Sequence, residues 1–422
     1  MFFLVRKNWV RLVFAVLLLS SLSSIANPTV QLEAHEDEVN INPRLSLSDV
    51  LSKTYERNPQ QHVLSAMAGV AQARDMHAKG VLPNAPAVTF RHQNDTIGSN
   101  RGERESEVEM EMPVWLPGQR AARQALAKDL ESGLGASRKG LKLQLAGILR
   151  DAVWDVRMNQ DNQALYESRL KTAQKLEQDV AIRFRAGELA KTDLMLVQNE
   201  TLQAEAAYIR AQAEVKHAKH RYIALTGLNE MPENLDEMLS ELSALSDQHP
   251  LLEEANAKIE VAKDERQVVA VERRDTPQFI LSARSQRGPN DNFYNDGIGF
   301  KVRIPFASDT RNAPLMASAE SNLASTMAER DKLRLSMETA LHEAEHNLLV
   351  TRKELELVTR QNQITLENVQ LARKAFKLGE TDLVSLLRSE SQAFEAERVL
   401  SIKKIQLQWD IARYNQAVGV LP

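Results

Sequence analysis

Two stretches of the chain alternate strictly between apolar and polar residues. Val108, Met110 and Met112 interleave with Glu107, Glu109 and Glu111; Ile298, Phe300, Val302 and Ile304 interleave with Gly297, Gly299, Lys301 and Arg303. A period of two sends successive side chains to opposite faces of a strand. Each stretch follows a shorter one of the same kind, at 87–94 and 278–287, across a loop of turn-forming residues. The pattern predicts one β-hairpin at about 87–115 and another at about 278–306.

Beyond Pro117-Gly118, and again beyond Pro305, the period becomes helical, over about 119–186 and about 312–378. At 1.5 Å per residue each helix would run about 100 Å, several times the usual length. Gly187 and Gly379 stop them, and return helices follow at about 190–226 and about 383–418. Helical stretches at 47–81 and 251–273 precede the two hairpins.

The second long helix carries two heptad stripes. Leu341, Leu348, Leu355, Asn362, Val369 and Phe376 form one; Val350, Leu357, Ile364, Leu371 and Leu378 form the other, offset by two positions. Two positions turn a helix by about 200°, so the stripes lie on opposite sides and predict neighbours on both flanks. A two-stranded coiled coil needs a single seam; two seams suit a wall of helices. The return helices repeat every seven residues through Leu386, Ala393, Leu400, Leu407 and Tyr414, and through Leu194, Thr201, Tyr208, Val215 and Tyr222. In the first long helix Gln163 and Glu177 fall on the expected seam.

The grammar is written twice. Pro59/Pro250 and Pro86/Pro277 lie 191 apart; Pro113/Pro305, Phe184/Phe376, Gly187/Gly379, Tyr222/Tyr414 and Gly227/Gly419 lie 192 apart. Prolines, glycines and aromatics in one register indicate a tandem duplication, with a first repeat at 43–227, a polar linker at 228–235 and a second repeat at 236–422. Before it, Arg6, Lys7 and Arg11 precede a short apolar run ending near the small residues Ser24-Ile25-Ala26. This pattern predicts a cleaved secretory signal at 1–26, the run being too short for an anchor helix. An extended tail at 27–42 follows, with His35-Glu36-Asp37-Glu38 as a mobile acidic stretch.

Composition narrows the function. With 53 basic and 57 acidic side chains there is no clustered positive excess, which argues against a nucleic-acid partner. The absence of cysteine excludes disulfides, thiolate metal sites, thiol catalysis and cysteine acylation. No stretch after the signal is long and apolar enough for a spanning helix, so membrane entry would require a closed β-barrel. The strands have about the nine to eleven residues that a tilted barrel strand needs, but four cannot close, so the barrel would be shared between chains. The competing reading is a soluble periplasmic coiled-coil scaffold capped by a small sheet.

Signal, tandem unit, hairpins and long helices, together with Phe184-Arg185-Ala186-Gly187-Glu188, Phe376-Lys377-Leu378-Gly379-Glu380-Thr381-Asp382-Leu383 and Pro113-Val114-Trp115-Leu116-Pro117-Gly118-Gln119-Arg120, resemble the TolC family of outer-membrane efflux channels. The corner at Pro113–Arg120 resembles the CzcC-type heavy-metal branch, linked to RND pumps. The resemblance implies a mainly α fold with a small β part. It implies a homotrimer whose chains each give four strands to a 12-stranded transmembrane barrel, above a helical periplasmic cylinder. It also implies residence in the Gram-negative outer membrane among its lipids, and docking of a periplasmic membrane-fusion adaptor, tied to an inner-membrane RND-type pump, at the tips. Phe184, Gly187, Glu188, Phe376, Leu378 and Gly379 would form those tips. The chain would be no enzyme and need no cofactor, passing metal cations or, alternatively, drugs and other organic compounds. It departs from relatives in lacking a lipid-anchor cysteine and in ending at Pro422 directly after its last helix.

Three clusters carry candidate chemistry. Glu107, Glu109 and Glu111, with Glu103 and Glu105, share one strand face and would form acidic bands around a lumen, an arrangement that favours cations. Lys301, Arg303 and Arg91 would equally serve as countercharges on a wet face. Asp193, Glu380 and Asp382, beside the helix-ending glycines, are candidates for the periplasmic aperture, or simply for solvation of a helical turn. His342-Glu343-Ala344-Glu345-His346 matches the H-E-x-x-H zinc-hydrolase pattern. Its place within a very long helix, without a third ligand in a cleft, argues against catalysis. A weak metal-binding surface at His342 and His346 remains open, with His217 and His220 on the return helix no stronger.

Overall fold

The computed structural model describes residues 38–307 and 309–422. The expected signal at 1–26 and the tail as far as Asp37, including His35, lie outside the described residues. In order, the elements are β1 (Asn40–Asn42), α1 (Leu47–Arg57), α2 (Gln60–Lys79), β2 (Ala87–Asn94), β3 (Arg104–Pro113), α3 (Gln119–Arg185), α4 (Lys191–Thr226), β4 (Glu230–Pro232), α5 (Pro250–Val271), β5 (Gln278–Arg287), β6 (Asn295–Arg303), α6 (Asp309–Leu378) and α7 (Leu383–Ala417). The order α2–β2–β3–α3–α4 recurs as α5–β5–β6–α6–α7.

The helical stretch expected at 47–81 is two helices. Pro59 disfavours the α region for the preceding residue, and Asn58 is extended, with ψ 128°, at the end of α1. Ser46 and Asp49 form a capping box at the start of α1. The tail and the linker are less loose than their polarity suggests. Asn40, Ile41 and Asn42 pair in parallel with Glu230, Met231 and Pro232, and Met231, 2% exposed, is anchored in the main core. That core gathers Val50, Leu149, Val153, Trp154, Tyr222 and Leu235 where α1, α3, α4 and the linker meet. Each fully buried aliphatic side chain there contributes about 1.5–3 kcal/mol.

Along α6 the first heptad stripe is inward: Leu341, Leu348, Val369 and Phe376 are buried, and Leu355 and Asn362 are half-buried. The second stripe, Val350, Leu357, Ile364, Leu371 and Leu378, is exposed in the single chain, with Ile364 at 66%. Toward the end of α3 Ala173 and Val180 are buried, and Gln163 and Glu177 are half-buried. In α4 the expected stripe is buried only at Val215 and Tyr222, and the longer buried series, Val197, Ala204, Ala211 and Ala218, lies three residues on from Leu194, Thr201, Tyr208 and Val215.

The second sheet is antiparallel in the order β2-β3-β5-β6. Phe90 faces Val108, Val108 faces Ala283, and Ala283 faces Ile298, which fixes the register across all four strands. Within the chain β2 and β6 are its edges.

Candidate functional site

The register sorts the sheet into two chemically distinct faces. Val88, Phe90, Val108, Met110, Phe279, Leu281, Ile298, Phe300 and Val302 share one face and are all exposed. Phe279 and Phe300 stack on it, with ring centroids 5.8 Å apart. An apolar face of this extent on a single sheet is unusual for a surface that meets water.

The opposite face carries Glu107, Glu109, Glu111, Lys301 and Arg303. The glutamates are not a bare acidic row. Arg91 Nη2 lies 3.0 Å from Glu105 Oε1 and 3.1 Å from Glu107 Oε2. Lys301 Nζ pairs with Glu109 and lies 3.8 Å from Glu107 Oε1, and Arg284 lies 3.8 Å from Glu105. The structure therefore interleaves the acids with Arg91, Arg284 and Lys301. Arg284 escaped the sequence reading because only the β3–β5 register sets it opposite Glu107. Glu111 stands between Ala87 and Ile280, and Arg303 opposite Gln278.

A left-handed Gly118 (φ 86°) turns the chain from the sheet into α3. Trp115 Nε1 donates to Gly80 O (3.0 Å), and Arg120 donates to Ala78 O (3.0 Å) and Lys79 O (2.9 Å). His77 Nε2 donates to Pro83 O (2.8 Å), leaving Nδ1 to accept from Arg123 (3.3 Å). The Trp-Leu-Pro-Gly corner is thus tied to the end of α2.

At the far ends of the long helices, Gly187 (φ 80°) and Gly379 (φ 76°) adopt the left-handed conformation that closes a helix. A Cβ on either would meet nothing within 4 Å, so both tips are open. Glu188, Leu378 and Glu380 are exposed there. Phe376 is not available to a partner: it is buried with Val180, Val197, Leu383 and Leu386, and Phe184 is half-buried. Arg183 lies over the Phe376 ring (5.1 Å) and donates to Phe376 O (3.2 Å) and Lys377 O (3.3 Å), satisfying carbonyls at the end of α6. Two aperture candidates have local tasks. Asp193 accepts from Ala190 N–H (3.1 Å), and Asp382 caps α7 through Ser385 N–H (2.8 Å). Hydrogen bonding to Ser385 holds the Asp382 carboxyl below the usual carboxylate range.

His342 and His346 lie exposed on α6. Among the described residues of one chain, no three histidine, aspartate or glutamate side chains come together as a metal site. Nor, among them, is any helix long and apolar enough to cross a membrane.

No family model and no curated protein sequence matches this chain. Solved structures do. The outer-membrane channel OprN aligns at 18% identity with a TM-score of 0.70, over 88% of this chain and 89% of its own. The outer membrane protein VceC of Vibrio cholerae aligns at 14% identity and TM-score 0.71, over 89% and 97%. The open state of the Neisseria gonorrhoeae MtrE outer membrane channel aligns at 16% and 0.68, over 91% of each chain. Across nearly its full length, the chain has the fold of these channel proteins.

Proposed function

We propose that this chain is the outer-membrane exit duct of a tripartite efflux system, a member of the TolC family working as a homotrimer. The observation that carries the reading is the sheet. It exposes an apolar face, keeps an ionic face opposite, and leaves both edges unpaired at one end of two helices about 100 Å long. Four strands with open edges are incomplete in a membrane, where every backbone polar group needs a partner. Three copies supply twelve strands and close the barrel. The apolar face then meets lipid, and Glu107, Glu109, Glu111, Lys301 and Arg303 line the lumen. The exposed second stripe of α6 supports the same assembly, since neighbouring copies would cover it. The open tips at Gly187 and Gly379, with Glu188 and Leu378, receive a periplasmic adaptor that links the duct to an RND-type pump. The duct conducts passively and performs no catalysis.

Metal cations are the first substrate class, following the CzcC-like corner. The ion-paired lumen face favours a second reading, a duct for drugs and other organic compounds, because Arg91, Arg284 and Lys301 offset the cation preference of the glutamates. Planar-bilayer recording of the detergent-purified protein tests the function: discrete conductance steps are expected, and silent bilayers would contradict it. Reversal potential under a salt gradient, with Glu107, Glu109 and Glu111 changed to Gln, separates the substrate readings. A marked loss of cation preference supports the metal duct, and no change supports the organic one.

A further inference from the structure

We propose that a divalent-metal site forms at the seam between two copies of this chain, from Glu343 and His346 of one copy and His217 of the partner subunit. The inference rests on the assembly proposed above and deepens it.

Within one chain the two halves meet along α3 and the end of α7, and that contact is on view. Asp151 Oδ1 accepts from Trp409 Nε1 at 2.9 Å and lies 3.5 Å from Arg413 Nη2. Trp154 is buried in the cluster against which Trp409 packs. Among the described residues α6 and α4 come together at the tips, where Val197 and Phe376 share a cluster, but the reciprocal contact along their length is not made within the chain. In a closed ring it falls between α6 of one copy and α4 of the next.

The register of the two halves says which residues meet there. At an offset of 192, Arg221 answers Arg413, Tyr222 answers Tyr414 and Gly227 answers Gly419, so the alignment is anchored beside the contact. The same offset turns Asp151 into Glu343, Trp154 into His346 and Trp409 into His217. Where a carboxylate meets an indole N–H inside the chain, a carboxylate meets an imidazole between chains. Where two tryptophans share a cluster, two histidines do.

Two imidazoles and a carboxylate are a donor set for Zn²⁺, Ni²⁺ or Cu²⁺. Glu343 and His346 stand three apart on α6, a spacing that puts them on one helix face. His217, Glu343 and His346 are all exposed in the single chain, as residues awaiting a partner must be. Arg221, the cation beside this place, is engaged by Asp155 at 2.5 Å, which leaves Glu343 for the metal. A site split between copies accounts for a zinc-like motif that finds no third ligand within its own chain.

The test uses the full chain, purified in detergent, stripped with chelator and titrated with ZnCl₂. Calorimetry reads affinity, and native mass spectrometry counts chains and zinc together. One zinc per chain in the trimer is expected, and His217→Ala, Glu343→Gln or His346→Ala should each weaken binding at least about tenfold without changing the number of chains. Co-assembly of a His217→Ala chain with a Glu343→Gln/His346→Ala chain should restore zinc at the seams that combine the intact ligands of each. Trimers that bind no zinc, that bind it unchanged in His217→Ala, or that show no restoration on mixing would overturn the site while leaving the duct intact. A chain that stays monomeric would overturn both.

Discussion

Arg150 is the residue on which the middle of the molecule depends most. Its guanidinium, in a residue 1% exposed, donates to Glu237 (2.7 and 2.6 Å), Gln416 (2.6 Å) and Val420 O (3.0 Å), joining α3, the segment between β4 and α5, the last turn of α7 and the residues after it. Removing one member of a buried pair strands the other charge, so Arg150→Ala should cost about 3–5 kcal/mol, read as a lowered midpoint of thermal unfolding in detergent. The Arg150→Ala/Glu237→Ala double variant should cost less than the sum of the singles. Nothing in the sequence points to this pair, because Glu237 lies 87 residues away and no helical spacing joins them. His249 gives a second residue-scale prediction. Its Nδ1 caps α5 by accepting from Leu251 N–H (3.2 Å), and its Nε2 is buried without a partner. Burial lowers its pKa below the ordinary 6.5. The folded state then binds fewer protons than the unfolded state, so this contribution is complete above about pH 6.5 and is lost as pH falls through the lower folded value. Unfolding midpoints measured between about pH 5 and 8 should fall on the acid side, and His249→Asn, which keeps a cap without titrating, should flatten that slope.

At the scale of elements, strands and helices were legible because their periods of two and near 3.6 differ plainly, and the hairpins at Ala87–Pro113 and Gln278–Arg303 follow from alternation alone. Seams were legible only where large residues mark them. On α6 the stripe through Leu341, Leu348 and Phe376 stands out, but in α4 the buried series runs through Ala204, Ala211 and Ala218, where close helix approach selects small side chains that hydropathy ranks low. Ala211→Leu should therefore overpack this seam and cost about 1–3 kcal/mol in unfolding measurements. The β1–β4 ladder escaped notice because three residues are too few to show a period. The tip motif was readable as a pair of helix stops at Gly187 and Gly379, but not the burial of Phe376, which depends on Val180 and Val197 arriving from the other hairpin. Phe376→Ala should open a cavity costing about 3–5 kcal/mol locally, so that amide exchange speeds up around 180–197 and 376–387 while the sheet keeps its protection.

For the whole molecule, the single chain is a fragment of a surface. One sheet face, one stripe of α6 and two strand edges are left uncovered, and three copies arranged in a ring would cover all of them together with lipid. Of the two readings of the glutamates, an acidic lining or a wet face with countercharges, the ion pairs of Arg91 and Lys301 with Glu105, Glu107 and Glu109 favour the second. Arg284, which reaches Glu105 from β5, was not legible, because its place opposite Glu107 depends on the β3–β5 register. Register also yields the sharpest test of the shared barrel. Met110 faces Leu281 across β3 and β5, and the offsets of 192 and 191 carry this pair to Val302 and to Phe90 of the partner subunit. The chain has no cysteine to interfere. Oxidation of a Phe90→Cys/Val302→Cys variant in isolated outer membranes should give a covalent three-chain species on non-reducing gels, absent from either single variant. A product that stays a single chain after oxidation would contradict the shared barrel.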